Sequence, residues 1–280
     1  MKKCLTMLAA VLVCTTIFLA GCGDKKQTTP DQPSTVTITI QNAGSCFSHT
    51  KFTVEKGTIL DGSLYENITR LNNGDRQVYF IGQWHTSEGS PFDFSQPVNE
   101  SVTISPEITQ LYTEVDNYPV ITVTANQDLK DNQDMTTVIL PRKSPYNGNS
   151  ISTLAGSDSE GAIFNGFNYI QTAVMPEYIS YYQGSIFYDC SGLKEVYFTS
   201  YGYYLNRSIP SNFLEGCDNL EKLYFSNQDD LDDFSRMLTA AIEEYQSDSV
   251  STANIERFAS MLEVKTPPDM TWRADSGLYE

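Results

Sequence analysis

A short repeat constrains this chain more than any other feature. Cys190-Ser-Gly-Leu193-Lys-Glu-Val196-Tyr197-Phe198 returns 27 positions later as Cys217-Asp-Asn-Leu220-Glu-Lys-Leu223-Tyr224-Phe225. Both copies read Cys-x-x-Leu-x-x-apolar-Tyr-Phe, with Phe187 and Phe213 ahead of their cysteines. A unit this small cannot bury its own apolar side chains. Copies must therefore stack, each covering the next, and a period of roughly 20–30 residues is the spacing of a solenoid.

Two further units are legible upstream. In Phe164 to Met175, Phe167 replaces the Cys, Ile170 the Leu, and Ala173 and Met175 the last apolar pair. Val138-Ile139-Leu140-Pro141 matches the final strand of a more degenerate unit. Strand alternation sets the facing. Val138/Leu140, Ala173/Met175, Val196/Phe198 and Leu223/Phe225 are expected inward. Ile139, Val174, Tyr197 and Tyr224 form an outward column, with Thr172, Glu195 and Lys222 beside it. Neighbouring strands lie about 4.8 Å apart, so Tyr197 is expected to stack on Tyr224 and Glu195 to pair with Lys222. Cys190 and Cys217 fall at equivalent positions, close enough for a disulfide. Buried thiols are the preferred state, because such positions point side chains in parallel. Ile209-Pro210-Ser-Asn-Phe213-Leu-Glu-Gly-Cys217-Asp-Asn-Leu220 resembles the BspA-like leucine-rich repeats of bacterial surface antigens. The resemblance implies a short leucine-rich-repeat solenoid over residues 108–226 and an interaction protein at the cell surface. It brings no catalytic residue.

Lys2 and Lys3 precede an apolar stretch, Leu5 to Ala20, too short for a comfortable membrane span, which reads as a signal-peptide core. It ends in Leu19-Ala20-Gly21-Cys22, which resembles the lipobox of bacterial lipoproteins. That resemblance implies a signal peptide over 1–21, cleavage before Cys22, and lipidation of Cys22. Residues 22–35 are polar, carry Pro30 and Pro33, and read as a flexible tether.

Residues 36–107 read as a first folded module. Val36–Ile40, Lys51–Glu55, Val78–Ile81 and Ser101–Ile104 have strand character, and Leu60, Leu64, Ile68 and Leu71 recur at a helical spacing. The stretch Phe80-Ile-Gly82-Gln-Trp84 followed by Phe92-Asp-Phe94-Ser-Gln-Pro97-Val98 resembles the internalin-type B-repeat, also known as the Listeria–Bacteroides repeat. This implies a small β-grasp-like module. Gln83 interrupts the family pattern, and the closing strand is reduced to Thr103-Ile-Ser-Pro106, which predicts a short last strand. Trp84 and Phe92 read as core, since bulky aromatics are what a small sheet buries.

Asp229 to Gln246 predicts a helix whose apolar face is Leu231, Phe234, Leu238, Ile242 and Tyr245. Its acidic first turn suits the helix dipole. A second helix is expected from Ala253 to Leu262, stopped by Pro267-Pro268. Residues 227–280 are thus a helical cap and tail, the tail carrying Trp272. The expected class is mainly β with α.

Eighteen Lys+Arg against 35 Asp+Glu give a net charge of −17. Loss of Lys2 and Lys3 with the leader leaves 16 against 35, or −19. Such a chain repels nucleic acid and anionic lipid surfaces, so lipid, not charge, has to hold it at a membrane. Six Cys and two His, His49 and His85, form no zinc spacing. Asp128, Asp131 and Asp134 lack the Gly and Glu of an EF-hand loop and read as a solvated turn. No catalytic residue, metal site or cofactor is expected.

Eight of the 17 tyrosines lie between Tyr178 and Tyr204, and Tyr-rich loops with Ser, Gly and Asn are how antibody paratopes bind. Two readings stand. Tyr201, Tyr203 and Tyr204, with Tyr197, Tyr224, Glu195 and Lys222, form a partner-binding face; or the tyrosines cap coil edges, stack on one another, or lie under the terminal helices. The expected function is a lipid-anchored, extracytoplasmic, non-catalytic adhesion protein that recognises a protein or glycan through this face. The alternatives are an envelope hydrolase and a small-ligand receptor lipoprotein, either of which a pocket lined by convergent polar groups favours.

Overall fold

The computed structural model describes residues 34–44, 46–47, 50–72, 77–115, 121–140, 153–155, 162–175, 181–183, 186–198 and 209–266. Residues 1–33, among them Cys22, and His49, Tyr201, Tyr203, Tyr204 and Trp272 lie outside them. The fold is mainly β, with two α-helices among the described residues.

Alternation builds the first sheet. Strands β1 (Thr35–Ile40), β2 (Lys51–Glu55), β3 (Ile68–Asn72), β4 (Gln77–Thr86) and β5 (Val102–Gln110) lie in the order β2-β1-β5-β4-β3. β1 and β5 pair in parallel, and the other neighbours are antiparallel. Val36, Ile38 and Ile40 turn to one core with the fully buried Trp84, whose indole N–H donates to the Tyr65 carbonyl at 2.9 Å. Phe47, Tyr65 and Phe94 surround the indole edge-on, with ring centres 5.4–6.2 Å away.

Two expectations for this part are corrected. The helical spacing at Leu60, Leu64, Ile68 and Leu71 makes only one 3-10 turn, Gly62–Leu64, before the chain becomes β3. Asn67 takes a left-handed φ of 55°, which ends the turn, and the β-branched Ile68 and Thr69 pair with β4. The closing strand is nine residues long instead of short. Pro106 is tolerated within β5 because pairing with β1 ends at Ile104, and β4 slips register between Ile81 and Trp84 opposite it.

The rest of the chain supplies β6 (Tyr112–Val115), β7 (Ile121–Ala125), β8 (Thr137–Ile139), β9 (Thr153–Ala155), β10 (Phe164–Asn165), β11 (Thr172–Met175), β12 (Tyr181–Gln183), β13 (Phe187–Tyr188), β14 (Glu195–Phe198), β15 (Lys222–Phe225) and β16 (Leu262–Val264). Helices α1 (Gln228–Tyr245) and α2 (Ser249–Glu256) fall between β15 and β16. Five strands form a parallel sheet in the order β16-β15-β14-β11-β8, and β12-β9-β7-β6 form a mixed sheet in which only β6 and β7 pair antiparallel. β10 and β13 pair in parallel.

The parallel register joins successive units: Thr137 to Thr172, Thr172 to Glu195, Glu195 to Lys222 and Leu223 to Leu262. The same offset relates Leu193 to Leu220, both buried in one continuous core. Phe164 stacks on Phe187 at 5.0 Å and Phe198 on Phe225 at 5.1 Å. Gly166, Asp189 and Gly216 each take a left-handed φ just before the buried Phe167, Cys190 and Cys217. The turn thus recurs where the register requires it, with the Asp189 amide donating to the Glu215 carbonyl at 2.9 Å.

α1 lays Phe234 against Phe225 and Phe198, with ring centres 5.0 and 5.9 Å away, and buries Leu238 and Ala241. Asn227 caps its start, accepting from the Asp230 amide at 2.9 Å and donating to the Asp230 carboxylate at 2.7 Å. The predicted second helix stops early. α2 tightens into a 3-10 turn at Arg257–Ser260, and Leu262 enters β16 instead of a helix. Phe258 packs on Phe213 at 5.5 Å, and the Arg257 guanidinium donates to the Cys217 and Leu214 carbonyls at 3.1 and 2.7 Å.

The described chain from Thr35 onward forms one compact unit. It holds two hydrophobic clusters, and Val78 and Phe80 of β4 join the second. The boundary expected between residues 107 and 108 therefore falls inside β5.

A Cβ on Gly192 would stand 2.0 Å from the Asn168 carbonyl oxygen, a backbone atom of the neighbouring unit. Gly192→Ala is expected to cost about 1–3 kcal/mol, as overpacking does. Gly82→Ala, whose Cβ meets nothing closer than 3.7 Å, serves as the neutral control. Urea unfolding midpoints of the two variants give the comparison.

Candidate functional site

Four of the expected partner-binding residues come together. Tyr197 and Tyr224 stack with ring centres 4.6 Å apart and planes tilted by 30°, as their register dictates. The Tyr197 hydroxyl donates to Glu195 Oε2 at 3.0 Å and the Tyr224 hydroxyl to Glu195 Oε1 at 3.4 Å. One carboxylate thereby ties both phenols.

The column is covered, which corrects the outward facing expected for it. Tyr197 is 2% and Tyr224 6% exposed, and Val174 and Ile139 are buried as well. Part of the cover is identifiable. Lys265, directly after β16, sets its ammonium 4.2 Å from the Tyr224 ring centre and 5.4 Å from that of Tyr197. Hydrogen bonds to the two phenols hold this ammonium above the ordinary lysine range. Lys222 is not taken by Glu195. It pairs with Glu263 of β16 at 2.9 Å, and this contact raises its pKa. Lys265 and Glu263 were invisible as site members, because β16 sits in a stretch whose apolar spacing reads as helix. Tyr201, Tyr203 and Tyr204 lie outside the described residues.

Cys46, Cys190 and Cys217 are buried, and Cys190 and Cys217 are free thiols. The Cys190 thiol donates to the Phe164 carbonyl at 3.6 Å, and that of Cys217 to the Phe187 carbonyl at 3.9 Å. Each thiol points the same way, toward the preceding unit. A hydrogen bond with Cys190, then burial, pushes the Cys217 thiol well above its usual range, so it is not a nucleophile. His85 pairs with Glu107 at 2.9 Å on the surface of the first sheet. Among the described residues, no group of three or more His, Cys, Asp and Glu could hold a metal ion, and no helix is long and apolar enough to cross a membrane.

A cleft of about 400 Å³ opens where β4 and β5 meet the loop before β8. Its walls carry Glu66, Asn67, Gln83, Glu107, Asn132 and Asp134. The β4–β5 register slips between Ile81 and Trp84, beside this cleft, a position that bulges often take next to binding sites. Burial, then the charges of Asp93 and Asp134, raise the Glu66 pKa. In the sequence Gln83 reads only as an interruption of the repeat pattern and Asp134 only as a turn residue, since the cleft residues come from four separate segments and share no spacing.

No family model, curated protein or solved structure matches this chain.

Burial raises the pKa values of three phenols among the described residues, Tyr79, Tyr112 and Tyr197. Tyr112, 1% exposed, donates to the Ile139 carbonyl at 2.8 Å. Tyr197 is raised first by burial and further by Glu195, against an opposing contribution from Lys265. A raised folded-state pKa adds stability below the unfolded phenol value of about 10, and that stability is lost as pH rises through the folded value. Unfolding midpoints are therefore expected to fall above about pH 10, with tyrosinate absorbance appearing together with unfolding. Tyr112→Phe should flatten that alkaline fall while lowering neutral stability by about 1 kcal/mol, the usual worth of a lost hydrogen bond.

Proposed function

We propose that this protein is a bacterial lipoprotein, anchored through Cys22 on the extracytoplasmic side of a membrane, that works as a non-catalytic binding and adhesion protein. It comprises a B-repeat-like, β-grasp-like module over residues 36–107, a BspA-like leucine-rich-repeat solenoid over 108–226, and a helical cap and tail over 227–280. The reading is supported chiefly by register. Units defined on sequence as copies pair strand to strand, Thr172 with Glu195 and Glu195 with Lys222, so they bury one another's apolar side chains. A stack of that kind presents an extended surface, the common basis of binding by repeat proteins.

Tyr197, Tyr224, Glu195 and Lys222 act in this reading as the frame of the partner-binding face, since they are spent on one another, Glu263 and Lys265. Contact with a protein or glycan then falls to Tyr201, Tyr203 and Tyr204. The polar cleft favours a second reading, a small-ligand receptor on the same anchored chain, because convergent polar groups in a concave site are how such ligands are oriented.

Expression in bacterial cells with and without Cys22→Ala tests the anchor. The wild-type chain should partition with membranes and the variant should be released, since several acyl chains hold where a polar tether does not. The released variant, screened against matrix proteins, glycans and a hydrolase panel, should bind without turnover. Loss of that binding in a Tyr201/Tyr203/Tyr204→Ala triple variant supports the Tyr face; binding untouched by the triple variant rejects it.

A further inference from the structure

The cleft at the β4–β5 edge has a chemistry of its own. Its acids are Glu66 before β3, Glu107 on β5, and Asp134 in the loop before β8. They do not converge, because no three acidic groups there stand close enough for a metal ion. Interleaved with them are the side-chain amides of Asn67, Gln83 and Asn132. Asn67 and Gln83 make no side-chain hydrogen bond among the described residues, so both ends of each amide remain available. Asn132 spends only its oxygen, accepting from the Asp134 amide at 2.9 Å, and keeps its N–H groups. Glu107 gives one oxygen to His85 and retains the other.

This mixture selects against three ligand types. An anion, such as a phosphate or uronate, meets three carboxylates and no Lys or Arg in the lining. A metal ion finds its oxygen ligands scattered. An ammonium group only donates, so it would leave the amide N–H groups without acceptors. A hydroxyl both donates and accepts, and several hydroxyls on one rigid ring satisfy carboxylates and amides spread along a wall. The volume falls in the range of small-molecule pockets, about 300–1,000 Å³.

We propose that the cleft between the β4–β5 edge and the loop before β8 binds an uncharged sugar residue of a glycan, with Glu66 and Asp134 accepting from its hydroxyls and Asn67, Gln83 and Asn132 donating to them. The inference rests on the small-ligand receptor reading and narrows it to one ligand class. The raised pKa of Glu66 adds a pH signature. An ionised carboxylate is the stronger acceptor for a hydroxyl, so affinity rises with pH through the Glu66 titration.

The test is an NMR titration of the full chain with cellobiose, lactose and N,N′-diacetylchitobiose, and with spermidine in a parallel arm. At least one disaccharide should shift the Asn67, Gln83 and Asn132 signals saturably. Gln83→Ala, an exposed position, and the isosteric Glu66→Gln should each weaken it by about tenfold, the scale of one lost hydrogen bond. Thermal melts of both variants check that the fold is intact. Cleft shifts from spermidine alone would overturn the sugar assignment while leaving a receptor in place. Silence of the cleft toward all four compounds overturns both. Disaccharide binding unchanged in the two variants overturns the residue roles and the cleft as its site.

Discussion

The second half of this protein depends on lateral main-chain pairing between strands of two to four residues. Such strands have no stability alone, and each is held by neighbours 23, 27, 35 or 39 residues away in sequence. Pairing over these distances costs loop entropy, which grows only slowly with length, so uneven connections are tolerated. What cannot vary is the register. Phe164 meets Phe187 and Phe198 meets Phe225 only if every pair is aligned, and a slip of one residue would turn the Tyr column and the inward column over together. The left-handed residues Gly166, Asp189 and Gly216 fix where each turn begins, and that fixes the alignment.

The same register decides what the outer face can do. Because Tyr197 and Tyr224 come to lie side by side, their hydroxyls are near enough to share Glu195, and their rings make a surface on which one lysine can rest. A side chain chosen for its breadth is then spent inside the fold. Charge is distributed accordingly. Carboxylates line the walls of the cleft, while two lysines, Lys222 and Lys265, serve the sheet edge.

Much of this was readable before any coordinates. Strands β1 and β2, the repeat register, the stacking of Tyr197 on Tyr224, the burial of Trp84 and the apolar face of α1 all follow from period and residue type, because burial alone decides them. Two of the misreadings share one cause. Leu60, Leu64, Ile68 and Leu71, and again Ile255, Phe258 and Leu262, recur at helical spacing, yet Ile68 and Leu262 end in strands. Each lies beside an open sheet edge, β4 in one case and β15 in the other, and pairing with that edge outweighs a short helix's weak intrinsic preference. The cleft was hidden for a different reason. It exists only where four segments meet, and no one-dimensional pattern marks such a meeting.

β16 carries a consequence for the chain's fate in the cell. Its three residues close a sheet that would otherwise offer β15 as a bare template, with Leu223 and Phe225 ready to accept any extended peptide. The border they leave is brief and bears Glu263 and Lys265, a poor landing place for another strand. A premature stop shortly before residue 262 would keep both helices and nearly the whole apolar interior, yet release a product prone to filament growth through its final edge.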